Sequence, residues 1–127
     1  MKKNWNRIAA AAAVVLAAIG VEPALAHGGA QPKHGGTVQV ASDLSFELVA
    51  QPGGAAIYVE DHGKPMALTG VTGKLTVLHG SEKSEADLTA AGDRLEAKGV
   101  RLASGAKVVA ALRTANQKAI TVRFTVK

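Results

Sequence analysis

Ile120-Thr121-Val122-Arg123-Phe124-Thr125-Val126 is the stretch that decides the fold of this chain. Every second residue is apolar, and threonine or arginine stands between. A period of two sends successive side chains to opposite faces of an extended strand, one face for a core and one for water. β-branched residues dominate, which suits a half-buried pleated surface. The pattern recurs upstream. Val38 and Val40 alternate with Thr37 and Gln39, and Leu44, Phe46 and Leu48 with Ser45 and Glu47. Ile57 and Val59 flank Tyr58, and Leu75 and Val77 alternate with Lys74 and Thr76. Turn chemistry separates the runs at Ser42-Asp43, Gln51-Pro52-Gly53-Gly54, His62-Gly63-Lys64-Pro65, His79-Gly80-Ser81, Ala91-Gly92-Asp93 and Ala103-Ser104-Gly105. Residues 114–118 make a polar hairpin loop. Residues 81–97 carry enough alanine and charge for a short helix, but Glu85 and Asp87 alternate with Ala86 and Leu88, and Gly92-Asp93 cuts a helix short. Strands are favoured there as well. Short strands at this spacing predict an all-β domain over residues 37–127, an immunoglobulin-like β-sandwich of about seven or eight strands.

The amino-terminal region reads differently. Lys2, Lys3 and Arg7 precede an apolar run over residues 8–21, and Ala24-Leu25-Ala26 supplies a small-x-small cleavage pattern. The run is shorter than the roughly 20 residues a spanning helix needs. Residues 1–26 are therefore expected to be a cleaved signal peptide, with export to the periplasm and no stable membrane anchor. The mature chain would begin at His27. Residues 27–36, HGGAQPKHGG, read as a flexible Gly/His arm ahead of the domain.

Composition narrows the function. The chain has 15 Lys and Arg against 10 Asp and Glu. Setting aside Lys2, Lys3, Arg7 and Glu22 leaves a mild positive bias, scattered along the mature part and nearly without aromatic residues. That gives no footprint for nucleic acid. There is no cysteine, so disulfides, thiolate metal sites and cysteine nucleophiles are excluded. The serines lie in turns or on strand faces with no nucleophile-elbow pattern, and Gly28-Gly29 and Gly35-Gly36 open no phosphate loop. Nothing in the sequence argues for an enzyme.

The four histidines, His27, His34, His62 and His79, all fall in the mature part. Neutral imidazole binds copper, zinc and nickel. At a new amino terminus, His27 could chelate one ion with its α-amine and its ring, and His34 lies within reach along the arm. Three nitrogens of this kind suit Cu(II). Glu60, Asp61 and His62, at a strand end, form a weaker candidate set for Zn(II), although the same string is ordinary turn chemistry. Met66 reads equally as a thioether donor or a core filler, and His79 as a surface residue.

Three strings carry a family resemblance: Lys33-His34-Gly35-Gly36-Thr37-Val38, then Phe46-Glu47-Leu48-Val49, then Ile57-Tyr58-Val59-Glu60-Asp61-His62-Gly63-Lys64-Pro65. Gly73-Lys74-Leu75-Thr76-Val77-Leu78 and Gly105-Ala106-Lys107-Val108-Val109 continue the order. The chain thus resembles small periplasmic β-domain proteins, and a domain near the amino terminus of periplasmic adaptor subunits of heavy-metal efflux pumps of the resistance-nodulation-division type. The likeness implies a link to heavy-metal handling, with His34 and His62 at positions where such strings carry histidine. The chain lacks the coiled-coil hairpin and lipoyl-like domain of an adaptor. The expectation is a periplasmic metal-binding accessory protein for copper or zinc, in contact with an efflux component. The rival expectation is an interaction module with no metal site that docks onto an envelope or efflux assembly.

Overall fold

A computed structural model describes residues 31–127. The expected signal peptide and His27 lie outside the described residues. The domain is all-β, as the alternation predicts, with no helix among the described residues, and so none long and apolar enough to cross a membrane. Its strands are β1 (Thr37–Ala41), β2 (Leu44–Gln51), β3 (Gly54–Asp61), β4 (Lys64–Pro65), β5 (Thr72–His79), β6 (Glu82–Ala91), β7 (Arg94–Lys98), β8 (Lys107–Arg113) and β9 (Ala119–Thr125). Eight are full strands and β4 is a two-residue bridge, close to the number expected.

Every pairing is antiparallel, and the order is β1-β2-β3-β7-β6-β5-β8-β9, with β4 on β3. The path is one nearly closed, barrel-like sheet: β1 and β9 lie side by side but share no ladder. β2 and β3 form a hairpin paired from Leu44↔Asp61 to Gln51↔Gly54. The immunoglobulin order instead sends the second and third strands to opposite sheets.

β6 explains how the sheet curls. Residues 82–88 pair with β5, and only Thr89, Ala90 and Ala91 pair with β7. The strand leaves one half of the sheet and joins the other, so the alternation over 82–91 belongs to a strand and the helical alternative falls away.

Local chemistry sets the register. Ser42 and Asp43 (φ 51° and 64°) close the β1–β2 hairpin, and His62 and Gly63 (φ 53° and 84°) close β3–β4. Both have the two positive φ values of a type I′ turn, whose twist matches paired strands. The inward side chains of all the long strands then form one core, in which Phe46, Ile57, Leu75, Leu88, Leu95 and Val108 are the largest fully buried. Leu68 and Val71, on the link from β4 to β5, join that core, as do Val100 and Ala106 on the link from β7 to β8.

Candidate functional site

The outward face of β2, β3 and β7 carries the domain's main polar network. Register aligns Glu47 with Tyr58 and Tyr58 with Arg94 across three strands. Residues 33–36, immediately before β1, lie over this row. Period two should expose Glu47 between Phe46 and Leu48, yet it is the buried charged residue among those described, only 6% exposed. The cause is the segment above it.

Glu47 accepts four hydrogen bonds. The backbone N–H of Lys33 donates to Oε1 at 2.9 Å, and those of His34 and Gly36 each donate to Oε2 at 2.8 Å. The His34 ring completes the set, with Nδ1 3.0 Å from Oε1. Burial pushes the Glu47 carboxyl up, but the bonds from the His34 ring and the Gly36, Lys33 and His34 amides together outweigh it and hold the group below its ordinary range. A carboxylate that gathers three amides and an imidazole from three residues of one four-residue segment is a latch.

The imidazole of His34 also stacks on Tyr58, with ring centroids 3.6 Å apart and planes 5° from parallel. Arg94 donates from Nη1 to the Tyr58 hydroxyl at 3.3 Å and from Nε to Glu96 at 2.9 Å. The Tyr58 hydroxyl first, and Glu96 second, raise the Arg94 guanidinium above its ordinary value. Lys33 Nζ reaches over to Glu60 at 2.9 Å. The hollow beside Glu47, Tyr58 and Glu60 is only about 10 Å³, room for little more than one water. A substrate does not fit there.

The arrangement fixes one imidazole in one orientation. With Nδ1 on the carboxylate, a neutral His34 carries its proton on Nδ1 and keeps its lone pair on Nε2, away from Glu47. The side chain remains 39% exposed. Metal-binding histidines are commonly held this way, the second nitrogen donating to a carboxylate that fixes the tautomer and raises ligand basicity.

The other expected donors are placed differently. Glu60 lies on the same outward face but is tied to Lys33. Asp61 and His62 pair with each other at 2.6 Å, with side chains 53% and 87% exposed. Strand register puts the His79 turn and the His62 turn at opposite ends of the sheet. Among the described residues, no group of three His, Asp or Glu stands close enough to hold a metal ion. His34 is thus the one candidate ligand that the fold orients by a buried carboxylate. The sequence reading missed Glu47, Tyr58, Arg94 and Glu96, because each looks like the polar half of an alternating strand.

Gly36 makes the latch sterically possible. A Cβ there would sit 2.1 Å from the Leu48 carbonyl oxygen and 2.9 Å from Val49 Cγ2. Gly36→Ala is expected to lift the segment off β2, at a cost of about 1–3 kcal/mol. Amide exchange should show it: in that variant the amides of Lys33, His34 and position 36 would lose protection while the β5–β8 ladder keeps its own.

No protein-family model, no curated protein and no solved structure matches the chain.

Proposed function

We propose that this domain is an exported, periplasmic metal-binding accessory protein for copper or zinc, with His34 as its fixed ligand. The observation that carries the reading is the Glu47–His34 pair, stacked on Tyr58, which engages Nδ1 and leaves Nε2 as the nitrogen for a metal. One imidazole does not make a strong site, so further donors are required. The reading assigns them to His27, whose α-amine and ring would close a three-nitrogen set on Cu(II) once residues 1–26 are removed. Glu60, Asp61 and His62 fall to a minor role in this reading, because their polar atoms already pair with Lys33 or with each other. Binding is favoured over catalysis because the hollow beside Glu47 and Tyr58 is only about 10 Å³. The resemblance to efflux-adaptor domains supports a place in heavy-metal resistance, near an efflux component. For the scaffold, we read a flattened barrel, whose halves β1-β2-β3-β7 and β6-β5-β8-β9 face each other as the sheets of a sandwich do. The immunoglobulin-like expectation extends no further than that.

Calorimetric titration of protein beginning at His27 with Cu(II), then Zn(II), tests the reading. One-to-one binding is expected. His34→Ala should abolish it, and Glu47→Gln should weaken it roughly 10–100-fold, the usual effect of losing a carboxylate behind a ligating histidine. Equal affinity in the wild type and in His34→Ala would overturn the assignment.

A further inference from the structure

The sheet ends at β1 and β9, which lie side by side without a ladder, and a groove of about 730 Å³ runs along this seam over β1, β8 and β9. That volume falls within the roughly 300–1,000 Å³ of ordinary ligand sites. We propose that this seam binds an extended, acidic peptide segment of a partner protein. The inference goes beyond the metal reading and does not depend on it.

Three observations carry it. The first is backbone chemistry: β1 and β9 share no ladder, so each leaves amide and carbonyl groups along the seam outside any strand pairing, available to an extended segment that engages it. The second is charge. Lys107, Arg123 and Lys127 line the groove together with the half-buried Val38 and Val109, and no carboxylate side chain lines it. Among the described residues, none of these three cations is in an ion pair; Lys107 donates only to the Thr125 hydroxyl, at 3.2 Å. Three cations outside any ion pair call for an anionic occupant, and Val38 and Val109 offer it a limited apolar contact.

The third observation is the contrast with the other open edge. Residues 82–88 of β6 also lack a second ladder partner, but Glu82, Lys83, Glu85 and Asp87 stud that edge. Charge on an edge is a common guard against unwanted pairing. β1 has no such guard: Thr-Val-Gln-Val-Ala carries no charged residue, and Val40 is 55% exposed. A second copy is disfavoured as the occupant when it presents the same face, because the seam cations would meet their own kind.

The test uses a short synthetic peptide that alternates glutamate with valine, and a control with lysine in place of glutamate. Two-dimensional amide NMR of the domain should show shifts confined to β1, β9 and the start of β8 with the acidic peptide, and none with the control. Affinity should fall as salt is raised. Arg123→Glu combined with Lys107→Glu should weaken binding by roughly tenfold or more. The milder Arg123→Gln covers the case in which the double variant fails to fold. Shifts elsewhere, equal binding of the lysine peptide, or self-association through this face in sedimentation would each overturn the proposal. The titration is repeated in His34→Ala, which should bind the peptide as the wild type does, so a failure here is distinguishable from a failure of the metal reading.

Discussion

Glu47→Ala is expected to destabilise the domain by about 2–4 kcal/mol, since it strips the acceptor from several hydrogen bonds to a charged group at once. For a domain of this size that is a fall in Tm on the order of 10 °C. The Lys33, His34 and Gly36 amides and the His34 ring lose their partner together. Residues 33–36 have no other anchor on β2 of comparable strength, so the segment should lift and the Tyr58 stack should open. Glu47→Gln keeps the shape but turns an amide NH2 toward backbone donors, and should recover only part of the loss. Acid titration gives an independent reading. The folded-state pKa lies below the ordinary value, so ionised Glu47 stabilises the fold above its unfolded value of about 4.3. That contribution is lost as pH falls from there through the lower folded value. Thermal melts taken across that window should show a steeper decline for the wild type than for Glu47→Gln. Parallel curves, or an unchanged Tm in Glu47→Ala, would mean that the latch contributes nothing.

The sequence made the inward half of this network's scaffold legible and hid the outward half. Phe46 and Leu48, Ile57 and Val59, and the run from Ile120 to Phe124 all turn inward as their period requires. The turns at Ser42-Asp43 and His62-Gly63 fall where their residues tolerate positive φ. Glu47 was illegible because alternation states only which face a residue takes. It cannot say that another part of the chain covers that face. The covering segment is polar and glycine-rich, so composition alone reads it as a loose tether, whereas residues 33–36 are held by the one acceptor beneath them. The path of β6 was hidden for a related reason. Nothing in an alternating run marks the residue at which a strand changes its partner, because pairing is decided by the strands on either side.

Leu95→Ala should cost more than any outward-face substitution, about 3–5 kcal/mol. Leu95 is fully buried, and its register partners are Ile57 on β3 and Ala90 on β6. β7 is the strand that joins β3 to β6, and hence the two halves of the sheet, so its short inward face carries that junction. The neighbouring inward positions Ala55 and Ala97 are alanines, which have no side-chain length to swing into a void. The cavity should therefore stay open, which places the loss at the upper end of the usual range. Leu95→Met, which roughly conserves volume, should cost less than about 1.5 kcal/mol. Denaturant unfolding separates these outcomes: a lower midpoint with an unchanged slope marks a true loss of stability, and a Leu95→Ala loss below about 1 kcal/mol would refute the packing described for β7. Leu95 projects inward and Glu47 outward from the same sheet, and they share no partner, so the double variant should lose close to the sum of the two. Strong coupling between them would mean that the latch acts through the core, and that the orientation of His34 depends on how the barrel is packed.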